Sequence, residues 1–225
     1  MIKMIASNAV KEALMGLVPR FEAASGHHVT TIWGGTLDIS QRIGDGEVVD
    51  LVVLSSERID ALIDQGRLKA GSRVDIARSG IGVAVPPGAR RPDISSGAAL
   101  RASLLAAPTV VLSSGPSSAY LVELFRRMGI ADTITIHQTG PGMPVAGALA
   151  LREGDIGFTQ VSELVGRGSI DFIGPLPTDV QHLTVWSAGL HVAAPAGEAA
   201  RMLTGFLTAP EAAAAFRQCG MMTPA

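Results

Sequence analysis

The 225-residue sequence holds a single cysteine, Cys219, which excludes an intramolecular disulfide and any multi-cysteine metal cluster. As a lone thiol in an Ala-rich C-terminal segment, it reads as packed rather than nucleophilic. Aromatics are also scarce, at 4% of residues, which argues against a stacking platform for bases. Neither sign of charge dominates: 18 Lys+Arg face 20 Asp+Glu, a net charge of −2. Without clustered cations to neutralise phosphates, nucleic acid is excluded as a main partner. Long apolar runs are missing too. The most apolar stretch, residues 104–112, is short and carries Pro108, so no membrane insertion is expected. Residues 1–6 are too short for a signal-peptide core and are followed by Ser7-Asn8 and Lys11-Glu12. The expectation is a cytoplasmic protein as written, or a periplasmic one if a leader was removed.

Several catalytic motifs are absent as well. No glycine-rich loop ends in Gly-Lys-Ser/Thr, no Gly-x-Gly-x-x-Gly follows the first strand, and Gly-x-Ser-x-Gly does not occur. His27-His28 has no carboxylate at ligand spacing and reads as a surface pair, so no metal site and no cofactor are expected. His137, near a strand end, reads as structural, and Arg90-Arg91 and Arg126-Arg127 as solvated faces.

What is present is apolar and aliphatic: 47% hydrophobic residues against 17% charged, enough to fold with well-buried cores. Residues 2–6 read as a buried strand, with Ser7 and Asn8 as candidate caps of a helix whose apolar face is Val10, Leu14, Leu17, Val18 and Phe21. Pro19 predicts a kink or an early end there, and Gly26 closes the unit. Strand 29–33, helix Ile39/Ile43, strand 50–54 and helix Ile59/Leu62/Ile63 continue the alternation, the signature of a parallel sheet with right-handed crossovers. A second series begins with strand 80–85. It runs through helix 98–105, strand 109–112, turn 113–118, helix 119–128, strand 134–137, helix 145–152 and strand 155–159. A long strand, 182–192, then returns the chain to two terminal helices. The expectation is therefore α/β with two lobes. Residues 1–79 and 186–225 form a discontinuous first lobe, and 80–185 form a second inserted into it.

In open parallel sheets, ligands bind at the C-terminal ends of strands, beside helix N-termini. The first lobe delivers Ser7, Asn8, Gly34, Gly35, Thr36, Ser55 and Ser56 to such positions. The second delivers Ser113, Ser114, Ser117 and Ser118, then the turn 139–145, then Thr159, Gln160 and Ser162. Each alone is what a helix cap requires. Their recurrence as hydroxyls, amides and glycines in both lobes suits a small anion held by neutral donors in the positive field of helix N-termini.

The runs 5–10, 21–29 and Gly34-Gly35-Thr36, with Gly46 to Ser55, resemble the type II periplasmic binding proteins of the molybdate-binding branch. So do Gly115-Pro116-Ser117-Ser118-Ala119-Tyr120 and residues 153–160. The resemblance implies two α/β lobes, each a mostly parallel sheet flanked by helices, joined by a two-strand hinge and closing on a small anion. It implies ligand contacts from Ser7, Asn8, Gly35, Thr36 and Ser55, and from Ser117, Ser118, Pro144, Val145 and Gln160. An ABC permease would be the partner if the protein is exported. The molybdate proteins carry tyrosine where Gln160 stands. The fold is shared with aconitate isomerase. The alternative expectation is therefore a cofactor-free intracellular isomerase or tautomerase of a small unsaturated carboxylic acid, with His137 and Glu163 as the nearest bases.

Overall fold

The computed structural model describes residues 1–107, 109–140 and 143–224. In chain order the elements begin with β1 (Ile2–Ser7), a 3-10 turn (Asn8–Val10), α1 (Lys11–Ser25), β2 (Val29–Gly34), α2 (Thr36–Gly44), β3 (Leu51–Ser55) and α3 (Ser56–Asp64). There follow β4 (Val74–Val85), α4 (Gly97–Ala106), β5 (Thr109–Leu112), α5 (Pro116–Arg127), β6 (Thr135–Gln138), α6 (Val145–Ala150), β7 (Ile156–Gln160), α7 (Val161–Leu164) and β8 (Asp171–Pro175). The last are β9 (Leu183–Leu190), α8 (Gly197–Thr208) and α9 (Pro210–Gln218). No helix among the described residues is long and apolar enough to cross a membrane.

The chain divides into two units, Met1–Ser79 with the segment from Thr184 onward, and Gly80–Leu183. It crosses within β4 and again at the start of β9, slightly before the 185/186 position read from the sequence.

In the first unit the strands run β2-β1-β3-β9, with β1, β2 and β3 parallel and β9 antiparallel to β3. One face buries Ile2, Met4, Leu51, Val53 and Trp186 under Leu14, Leu17, Phe21, Leu203 and Phe216 of α1, α8 and α9. The other packs Ile5, Val52 and Leu54 against Ile39, Ile43, Ile59 and Leu62 of α2 and α3. A strand covered on both faces must be apolar, as β3 is from Leu51 to Leu54. Of the two expectations at Pro19, a kink or an early end, the early end is not met: α1 continues to Ser25, with Gly26 as its C-cap. An internal proline costs about 3 kcal/mol. Burial of Leu17 and Phe21 on either side returns roughly 1.5–3 kcal/mol each, enough to carry the helix through.

In the second unit the order is β4-β7-β5-β6, with β5, β6 and β7 parallel and β4 antiparallel to β7. β8, which sequence periodicity did not reveal, pairs antiparallel with β4 through an irregularity at Val83/Ala84. Phe125, Phe158, Leu100, Leu104 and Leu121 fill one face, and Val145, Leu149 and Leu164 cover the other.

The two units open their sheets with the same device. Asp50 takes the amide of Lys3 on Oδ2 (2.8 Å) and returns its own amide to the Lys3 carbonyl (2.8 Å). Asp155 does the same with Thr109, at 3.0 and 2.8 Å. Each aspartate fixes the register of neighbouring parallel strands at the edge opposite the strand-to-helix turns.

Candidate functional site

At the C-terminal edge of the first sheet, Ser7 is paired with Gly34, so Ser7 and the Gly35-Thr36 step leave adjacent strand ends together. Their side chains meet: Ser7 Oγ and Thr36 Oγ1 are 3.2 Å apart and both residues are buried. Ser7 Oγ also accepts the Ala9 amide at 3.4 Å. Asn8, expected to cap α1, is instead the exposed first residue of the 3-10 turn, and the cap there is Ser7. Gly34 is needed for space, because a Cβ would stand 3.1 Å from Ile39 Cγ1 and 3.2 Å from Asp38 Oδ2. Beside Gly35 nothing lies within 4 Å, so the start of α2 is approachable. Ala6 aligns with Val53, which brings Ser55 to the same edge. Ser55 Oγ is buried with no hydrogen-bond partner. Neither α2 nor α3 has a side-chain cap, so their first-turn amides remain donors in a positive field.

The second unit repeats the arrangement. Leu112 aligns with both Gln138 and Phe158, so α5, α6 and Gln160 all follow strand ends at one edge. Ser117 and Ser118, read from sequence as a turn, lie in the first turn of α5 because Pro116 at its start presets the helical φ. Both are buried, and α5 too lacks a side-chain cap. Gln160 is buried at the end of β7. Pro144 is the exposed residue before α6, and Val145, its first residue, is buried against Leu149 and Ala148. Pro141 and Gly142, part of the turn read from sequence, lie outside the described residues. Within each unit, then, the expected residues gather at one edge, with Pro144 preceding and Val145 opening a helix of only 6 residues.

Glu163 is the acidic group of this edge. Its Oε2 accepts Thr159 Oγ1 at 2.6 Å, and the Gln160 amide bonds the same carboxylate. Desolvation pushes its pKa up, opposed by those two hydrogen bonds and by the charge of Arg167. A carboxylate reaching back to the amide before a helix is half of a capping box, the structural role of this residue. His137 is exposed and pairs through Nε2 with Glu153 Oε2 at 3.3 Å, a surface contact. Two groups escaped the sequence reading because they are neither in a turn nor in a motif: Arg78 Nε and Trp186 Nε1 are buried without partners. Among the described residues no group of three His, Cys, Asp or Glu could hold a metal.

A surface groove of about 380 Å³ lies elsewhere on the second unit, between α4 and α5. Three of its polar side chains are already engaged: Asp179 takes the Gly97 amide, Arg101 Nε donates to the Met128 carbonyl and Tyr120 Oη to that of Val180.

Residues 2–222 match the family model of bacterial extracellular solute-binding proteins. The aconitate isomerase of Pseudomonas sp is 30% identical over 227 residues, covering 98% of this chain and 87% of that protein. The periplasmic molybdate-binding protein of Azotobacter vinelandii superposes with a TM-score of 0.83 at 17% identity, covering all of both chains. The sulfate-binding protein of Mycobacterium tuberculosis superposes with a TM-score of 0.80 at 16% identity, covering 98% of this chain and 85% of that one. The chain belongs to the bacterial extracellular solute-binding protein family and has the two-lobe fold of the type II periplasmic binding proteins.

Proposed function

We propose that the protein is a solute-binding protein whose two units close around a small anion, an oxyanion or a small organic carboxylate. The observation that carries this reading is the buried Ser7–Thr36 hydroxyl pair at the uncapped start of α2, matched by Ser117 and Ser118 at the uncapped start of α5. Neutral donors at helix N-termini stabilise an anion without requiring a formal countercharge. Contacts from both units favour the closed state by their differential affinity, with the crossings in β4 and at the start of β9 as the hinge. The oxyanion specificity of the molybdate- and sulfate-binding relatives supports the ligand class. If the protein works outside the cytoplasmic membrane, an ABC permease is the partner that would accept its cargo. Calorimetric titration of sulfate, molybdate and citrate tests the site. Replacing Ser7 and Thr36 together by Ala should weaken binding by roughly 1.5–3 kcal/mol per lost bond to a charged group. Unchanged affinity rejects the site.

A second reading has its own support in the 30% identity to an aconitate isomerase and in Glu163 beside Gln160. A carboxylate that removes a proton from the carbon next to one carboxyl group and returns it at the far end of the allylic system shifts a double bond. The step leaves the composition unchanged and requires no cofactor. Incubation with trans-aconitate in deuterated water, followed by NMR, separates the readings. Deuterium incorporation or isomer conversion establishes the enzyme, and tight binding without exchange establishes the binder.

A further inference from the structure

Apart from His191 Nε2, which lies just past the end of β9, three buried polar atoms of the first unit lack partners: Ser55 Oγ, Arg78 Nε and Trp186 Nε1. Strand pairing places them together. Ser55 and Trp186 are directly opposed in the β3/β9 ladder, so their side chains share a face with Cβ atoms about 4.5–5.5 Å apart. On its other side β9 adjoins β4. There, Ser187 Oγ donates to Asp75 Oδ1 at 2.7 Å, which puts residues 75 and 187 on one face. Alternation along each strand then assigns Ile76, Arg78 and Trp186 to the opposite face. The backbone of Arg78 is pinned by two hydrogen bonds with Met222, at 2.7 and 2.8 Å.

The chemistry of the three atoms is one-sided. An indole N–H and a guanidinium Nε–H can only donate, and a serine hydroxyl can donate alongside them. None of the ion pairs among the described residues involves Arg78. Buried donors left unmatched are costly and call for an acceptor that the protein itself does not supply. Ser55 closes β3 at the edge that carries Ser7 and Thr36, so of the three donors it is the one at the strand end beside the hydroxyl pair.

We propose that Ser55, Arg78 and Trp186 form a subsite for a carboxylate group, so that the solute is a polycarboxylate with one acid group at the Ser7–Thr36 hydroxyls and a second here. The inference rests on the anion-binding reading and narrows it. A compact tetrahedral oxyanion fills one subsite, whereas a flexible acid with two or more carboxyl groups spans both.

Trp186 supplies the readout. The chain has two tryptophans, and Trp33→Phe leaves Trp186 as the sole reporter. Citrate and sulfate are titrated by fluorescence and by calorimetry. Citrate should shift Trp186 emission and sulfate should not. Arg78→Gln should weaken citrate binding tenfold or more and leave sulfate binding within twofold. Trp186→Phe removes the indole N–H together with the pyrrole part of a buried ring, so its effect is read as a difference: by calorimetry it should weaken citrate severalfold and leave sulfate binding within twofold. Equal losses for citrate and sulfate, or no loss for either, overturn the subsite while leaving the anion site intact. If the unsubstituted protein binds neither anion, the anion-binding reading fails and the subsite falls with it.

Discussion

Asp50 offers the sharpest test of how the first unit is held together. Its carboxylate is almost fully buried and takes two backbone amides, Lys3 on Oδ2 at 2.8 Å and Ala196 on Oδ1 at 2.6 Å. One bond ties β3 to β1, and the other ties it to the segment entering α8. Asp50→Ala removes both acceptors and leaves the two amides unmatched. At roughly 1.5–3 kcal/mol for each bond to a charged group, the gross loss is about 3–6 kcal/mol. Partial access of water to the two amides brings the expected cost to about 3–4 kcal/mol, a large share of the 5–15 kcal/mol typical of a folded domain. Asp155→Ala is the internal control. Its carboxylate takes the Thr109 amide at 3.0 Å in a more exposed place, and its loss should cost about 1 kcal/mol.

Urea unfolding can separate the two because the tryptophans, Trp33 and Trp186, both belong to the first unit. Their fluorescence follows that unit alone, while far-ultraviolet circular dichroism follows both. Asp50→Ala should move the fluorescence transition to markedly lower urea. Asp155→Ala should shift the dichroism signal and leave the fluorescence midpoint nearly in place. A cost below 1 kcal/mol for Asp50→Ala, or an equal cost for Asp155→Ala, refutes the assignment of stability to these charge-assisted bonds.

Two further substitutions probe the second unit. Because burial raises the pKa of Glu163 above its ordinary value of 4.5, the native state holds a proton there that the unfolded chain has released. Stability contributed by this group is therefore complete below about pH 4.5 and lost as pH rises through the raised pKa. Glu163→Gln should flatten that decline in melting temperature between pH 4 and 8, and parallel profiles for the two proteins would show the carboxyl to be ordinarily solvated. Gly157 is held against α6, where an added Cβ would lie 2.6 Å from Val145 Cγ1 and 2.7 Å from Leu149 Cδ1. Gly157→Ala should cost about 1–3 kcal/mol by overpacking, read from dichroism-monitored urea unfolding, and should weaken anion binding by displacing the start of α6.

The architecture was legible wherever hydrophobic period and turn chemistry agreed. Strand, polar turn and helix alternate cleanly through the first 64 residues, and the structure has β1, α1, β2, α2, β3 and α3 there. Legibility failed where tertiary contacts overrode local preference. Pro19 did not stop α1, because buried residues on both sides of it hold the helix to the core. β8 carries Gly174 at φ 151° and ends in Pro175, so its residues read as a turn until pairing with β4 is known. The placement of Ser117 and Ser118 was recoverable: Gly115 followed by Pro116 is a helix start, and reading it as a loop moved both serines out of α5.

The site divides along the same line. Donors that follow parallel strands can be found from sequence, since each is a hydroxyl or glycine just past a β-branched run. Donors in the middle of a strand cannot, because alternation gives the face of a side chain but not the strand beside it. Arg78 and Ser55 are far apart in sequence, and only the order β3-β9-β4 brings them to the same face. A search for cations confined to turns therefore finds only neutral donors and passes over the guanidinium that the sheet carries at Arg78. The two edges of each sheet also do different work. Asp50 and Asp155 set the register where parallel strands begin, and the hydroxyls gather where those strands end. Separating the groups that hold the sheet from the groups proposed to face a ligand leaves the latter free to vary without loss of fold. That freedom is what allows one scaffold to serve solutes of different shape.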